Sequence, residues 1–126
     1  MGYFDSIGTQ QDEDVLINNT IIKNTSYQSK DFMYDANEKW VGNIYEITKD
    51  GCIYFTDEEL KDIKITGLAN IYNNDLHYWL LINRNKIVKV YKNVSFEDLP
   101  KEVQKYYDIS FGDEYILNIN IKKLSN

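Results

Sequence analysis

This chain of 126 residues has very little proline, glycine, cysteine or histidine: one Pro, six Gly, one Cys and one His. So few Pro and Gly exclude a low-complexity or disordered chain, given that 43% of residues are hydrophobic. The lone Cys52 cannot form an internal disulfide, and with only His77 beside it there is no zinc set. Glycines are scattered, and no Gly-x-x-x-x-Gly-Lys loop exists to hold phosphate. No apolar run approaches the ~18 residues that span a bilayer. The segment Gly2–Gly8 carries an acid and lacks the apolar core of a signal peptide, so a cytoplasmic protein is expected, with no membrane partner. The length suits a single domain over 1–126, able to bury a core without staples.

Basic residues are also few. The net charge is −6, and it is uneven: residues 1–60 hold 12 acids and 4 Lys, whereas residues 61–126 hold 8 acids and 10 Lys or Arg. Repulsion from phosphate argues against direct nucleic-acid binding. An acidic half can instead meet a basic protein surface, or simply keep the chain soluble.

What the chain has in quantity is period-two alternation and aromatics. Strands are expected near 42–48, 52–55, 63–72, 76–82, 86–91 and 115–121. Lys49-Asp50-Gly51 and Asn83-Arg84-Asn85 supply turns, and Asn18-Asn19 marks a weaker hairpin between Val15-Leu16-Ile17 and Thr20-Ile21-Ile22. Gly67 is read as a bulge, and Ile87 as facing away from Val88 and Val90. Ser95 to Asp98 resembles a capping box ahead of Pro100, which predicts a helix near 98–107. The expected class is mainly β (α+β), with antiparallel sheets of about six to eight strands and one or two short helices, because the connections are too short for crossover helices.

The opening Met1-Gly2-Tyr3-Phe4-Asp5, the later Gln28-Ser29-Lys30-Asp31 and the Tyr45 to Tyr54 hairpin resemble a group of small phage- and prophage-encoded proteins. These begin Met-Gly-x-Phe-Asp and carry a Gln-Thr-Lys-Asp element before a Tyr-x-Ile/Val-x-x-Asp-Gly hairpin. His77-Tyr78-Trp79-Leu80 is similar to a His-Gly-Trp-Leu segment in some of them. The resemblance implies a phage or mobile-element origin and a bacterial host cytoplasm, but no activity.

Catalytic chemistry is not readable. His77 lacks an identifiable orienting partner and nucleophile, and Cys52 lacks a nearby cation that would activate it. The acid runs do not follow a calcium-loop spacing, so no metal or cofactor is expected. The leading expectation is a non-enzymatic accessory protein that binds a host protein with a basic surface, such as a CRISPR effector or another nuclease of a defence complex. Candidate contacts are Asp12, Glu13, Asp14, Asp57, Glu58 and Glu59 for charge. Tyr27, Tyr34 and Trp40 are candidate aromatic anchors, and Gln28, Lys30 and Asp31 form the shared element. The alternative is a module sequestering a nucleotide signal, with Lys30 and Arg84 on phosphate. A small enzyme using His77 comes third. Self-association as a homo-oligomer is left open.

Overall fold

The computed structural model describes residues 5–29, 44–56, 58 and 64–107. About half of these lie in strands: β1 (Asp5–Thr9), β2 (Val15–Ile17), β3 (Thr20–Ile22), β4 (Tyr27–Ser29), β5 (Ile44–Ile47), β6 (Ile53–Phe55), β7 (Gly67–Tyr72), β8 (His77–Asn83) and β9 (Lys86–Lys92). One short helix, α1 (Lys101–Gln104), follows a 3₁₀ turn at Phe96–Asp98. The strand expected at 115–121 lies outside the described residues.

Seven strands form one sheet in the order β6-β5-β1-β4-β7-β8-β9, and β2 with β3 forms a separate hairpin. The sheet is mixed, which corrects the expectation of antiparallel sheets. β1 pairs antiparallel with β4 but parallel with β5, Ser6 opposite Ile44 and Thr9 opposite Ile47. Short connections do not forbid this, because β2, β3 and β4 lie between the parallel partners in the chain. The crossover thus needs no helix of its own.

The sheet curls until its edges nearly meet. Cys52 bridges Lys86, and Ile87 N–H donates to the Gly51 carbonyl at 2.8 Å. The result is an almost closed barrel whose interior holds Ile7, Tyr45, Ile47, Ile53, Ala69, Ile71, Tyr78, Leu80 and Ile82, among others. Three of the largest buried side chains are tyrosines, Tyr27, Tyr45 and Tyr78, so the described interior is a packed core.

Turn chemistry sets the register. Asn18 and Asn19 (φ 48° and 67°) and Arg84 and Asn85 (φ 48° and 73°) each form a two-residue turn with both φ positive, the hand that matches strand twist. Gly51, at φ 83°, closes the β5–β6 loop, with its N–H on the Thr48 carbonyl at 3.0 Å. Gly67 opens β7 and is not a bulge. The bulge lies on β9, where Leu81 faces Lys89 but Ile82 faces Ile87, so Val88 is the extra residue. Ile87 and Val90 therefore share the barrel interior, while Val88 packs outside. This corrects the expected separation of Ile87 from Val90.

The outer face of β7–β9 carries a second core of Leu68, Trp79, Leu81 and Tyr91, covered by Leu99 and Val103. Trp79 Nε1 donates to the Val94 carbonyl at 3.0 Å, and its ring meets Phe96 and Tyr107 at 5.6 and 5.7 Å. The predicted helix is thus shorter than expected, a 3₁₀ turn and one α turn split at Leu99–Pro100. Both of these residues are extended, at ψ 150° and 141°.

Candidate functional site

The β2–β3 hairpin is the part of the described structure most unlike a barrel wall. It has three-residue arms, and Val15, Ile17 and Ile22 face inward to join the core. Leu16 and Ile21 sit directly opposite each other and face outward, 64% and 47% exposed. The two-residue turn makes Ile17–Thr20 the hydrogen-bonded closing pair. Leu16–Ile21 is therefore a non-hydrogen-bonded pair, whose side chains stand ~4.5–5.5 Å apart at Cβ.

Four contacts hold the hairpin on the barrel. Tyr78 Oη donates to the Ile21 carbonyl at 3.1 Å and accepts from Lys23 N–H at 3.3 Å. Tyr27 Oη donates to the Lys23 carbonyl at 2.7 Å. The two rings meet edge to face at 5.6 Å. Burial, helped by the neighbouring Tyr78 hydroxyl, pushes Tyr27 ionisation far up, so it stays neutral. Asn18 Nδ2 donates to the Val88 carbonyl at 2.7 Å, capping part of the β9 edge. Gly51 lies beside Ile17, where a Cβ would be in van der Waals contact, 3.4 Å from its Cγ1.

Acids gather around this hairpin. Asp12, Glu13 and Asp14 precede it, and all three are exposed. Glu13 pairs with Lys49 Nζ at 3.0 Å, and Asp14 Oδ1 accepts the Asn24 N–H at 2.6 Å. Asp50 lines a shallow cleft of about 260 Å³ with Leu16, Asn18, Lys86 and Val88. Two of the three acids in the run thus have internal partners as well as outward charge.

The other sequence candidates fall elsewhere. Tyr27 is buried in the core, so it is not an exposed anchor: its ring is needed where β4 turns inward, and its hydroxyl is committed to Lys23. Gln28 is exposed on β4, opposite Ser6 of β1 and Tyr72 of β7. Glu58 is exposed. Lys30, Asp31, Tyr34, Trp40, Asp57 and Glu59 lie outside the described residues. Arg84 occupies the β8–β9 turn, six to seven residues and ~20 Å along the strand from the end that bears His77.

His77 faces outward at the start of β8, its ring 5.8 Å from Trp79, and burial lowers its pKa. No described residue hydrogen-bonds its imidazole. Tyr54 meets the Cys52 thiol, and burial followed by that hydrogen bond raises the phenol. Among the described residues no three His, Cys, Asp or Glu converge as a metal site, and no helix is long and apolar enough to cross a membrane.

Leu16 and Ile21 were not singled out from the sequence, although a signal existed. Val15-Leu16-Ile17 and Thr20-Ile21-Ile22 do not alternate with polar residues, so a strand there must show apolar side chains on both faces. In comparison with known proteins, no family model matches the chain, and no curated protein or solved structure matches it. Fold and site together define a nearly closed mixed β-barrel that presents an apolar cross-strand pair with charged residues of both signs, Asp50 and Lys86, in the cleft beside it.

Proposed function

We propose that this protein acts by binding a protein partner, with the β2–β3 hairpin as the contact. The observation that carries this reading is the Leu16–Ile21 pair held outward on an anchored hairpin, with Asp50 and Lys86 in the cleft beside Leu16 and the exposed run Asp12-Glu13-Asp14 just before the hairpin in the chain. An apolar centre with a charged border is the anatomy of a protein interface. The acids suit a partner with a basic surface, whose approach they steer.

The resemblance to phage-encoded proteins makes a host protein the natural target. The sharpest form is inhibition of a defence complex whose nucleic-acid-binding surface is basic, with the exposed acids standing in for phosphate. The Asp57-Glu58-Glu59 run, the aromatic candidates Tyr34 and Trp40, and Lys30 with Asp31 extend the same reading as further contacts.

The test starts by capturing a partner from the bacterial host with the tagged full chain and identifying it by mass spectrometry. Its affinity is then measured for the wild type and for Leu16→Asp/Ile21→Asp. A loss of tenfold or more at unchanged melting temperature supports the hairpin interface. Unchanged affinity for the doubly substituted chain sinks it.

A further inference from the structure

A second surface, away from the hairpin, has a different chemistry. An open cleft of about 280 Å³ lies where β1, β4 and β7 end, lined by Ser6, Ser26, Gln28, Tyr72, Asn73 and Asn74 beside buried Tyr27. Its floor is set by register: Ser6 faces Gln28, and Gln28 faces Tyr72, across three adjacent strands. Its rim is set by Asn73. The Asn73 Oδ1 accepts the N–H groups of Asp75 and Leu76 at 2.9 and 2.8 Å, and Nδ2 donates to the Ser26 carbonyl at 3.3 Å. The Oδ1 is thus used twice and Nδ2 once, and the amide fixes the β7–β8 turn against the β3–β4 connection.

The side chains of Ser6, Ser26, Gln28, Tyr72 and Asn74 make no hydrogen bond to another described residue. None of them carries a carboxylate, ammonium, guanidinium or imidazole group. Among the described lining residues a phosphate, carboxylate or ammonium group would find no opposite charge. The fitting ligand is neutral and carries several hydrogen-bonding groups. A carboxamide places a donor and an acceptor side by side, and two neighbouring hydroxyls of a sugar can each take one of them. Gln28 and Asn74 both offer that arrangement, the serines add single hydroxyls, and Tyr72 supplies a partly exposed ring on which the C–H face of a sugar can rest.

We infer that this cleft is a binding site for a neutral saccharide of one or two rings. It contains neither Leu16 nor Ile21, and the only residue it has in common with the hairpin anchors is the buried Tyr27.

The experiment uses the full chain on an array of neutral, sialylated and sulfated glycans, followed by saturation-transfer NMR with the strongest binders and with adenosine. Binding confined to neutral glycans is expected. Gln28→Ala and Asn74→Ala, both at exposed positions, should each weaken it tenfold or more without changing the melting temperature, whereas Leu16→Asp should leave it intact. Failure of every neutral glycan to bind overturns the inference. So does binding only to anionic glycans, tighter binding of adenosine than of any glycan, or glycan binding indifferent to Gln28→Ala.

Discussion

Asn85 and Ile53 form the clasp that draws the two edges of the sheet together. The Asn85 carbonyl accepts the Ile53 N–H at 2.8 Å, and Asn85 Nδ2 donates to the Ile53 carbonyl at 2.9 Å. The same asparagine donates its N–H to the Ile65 carbonyl at 2.8 Å, and its Oδ1 accepts the Ile65 N–H at 2.8 Å. One buried residue in the left-handed region thus pairs like a strand with two segments at once. Asn is suited to this, because it tolerates that backbone conformation and brings a second amide in its side chain.

Asn85→Ala should therefore be among the most damaging single changes in the described barrel. It leaves a buried N–H and a buried carbonyl without partners, at ~1–3 kcal/mol each, and adds left-handed strain. Asn85→Gly keeps the backbone conformation and should cost less, about 2–4 kcal/mol. Urea unfolding of both variants checks the order. Equal stability of Asn85→Gly and wild type would mean that the side-chain bonds of the clasp contribute nothing.

Tyr78→Phe isolates the hairpin anchor. The ring and its packing stay, but the bonds to the Ile21 carbonyl and Lys23 N–H are lost. A global loss of ~1–3 kcal/mol is expected. Hydrogen exchange should accelerate most at the amides of β2 and β3, since local opening of the hairpin becomes easier than opening of the barrel. Uniform acceleration across β7–β9 would show that the hydroxyl supports the whole core instead.

Much of this fold was legible because turns and alternation are local. Asn18-Asn19, Lys49-Asp50-Gly51 and the Asn-rich β8–β9 turn each mark a hairpin that the structure contains. Strands β5 to β9 fall within a few residues of expectation, except that β7 starts at Gly67. What was not legible is non-local. The parallel β1–β5 pairing depends on which edge the chain returns to after β4, and no local pattern encodes that choice. β1 and β4 were missed because Ser6, Gly8, Gln28 and Ser29 weaken the apolar signal. The Val88 bulge reverses the parity of β9 and is invisible to simple alternation. At the site, the acid run was visible as composition, but the outward pair Leu16–Ile21 needed the hairpin register.

His77 carries a pH prediction. Burial holds its folded pKa below the ordinary 6.5. As pH falls through 6.5, the unfolded imidazole takes a proton before the folded one does, so acid favours unfolding. The melting temperature of the wild type should drop between pH 7.5 and a value below 6.5 by more than that of His77→Gln. The difference should be modest, because the ring is only partly buried. Identical pH profiles would show that the folded and unfolded rings titrate alike.

The acid run should separate into structural and steering residues. Asp14 receives the Asn24 N–H at 2.6 Å, a capping-type bond to a charged acceptor, so Asp14→Ala should cost about 1–2 kcal/mol. Glu13 and Lys49 are largely exposed, and such a pair contributes no more than ~1 kcal/mol. No described residue pairs with the Asp12 carboxylate, but Asp12 sits at φ 53°, a left-handed conformation that Lys accepts less readily, so Asp12→Lys should cost about 1 kcal/mol and Asp12→Asn should leave folding stability near wild type. If the acids steer a basic partner, Asp12→Lys should slow association several-fold and flatten its dependence on salt, with little change in dissociation. Stopped-flow association at two ionic strengths, beside thermal melts of the same variants, reads both effects. An association rate unchanged by Asp12→Lys, together with wild-type salt dependence, would remove electrostatic steering from the account of this surface and leave the Leu16–Ile21 pair to carry recognition alone.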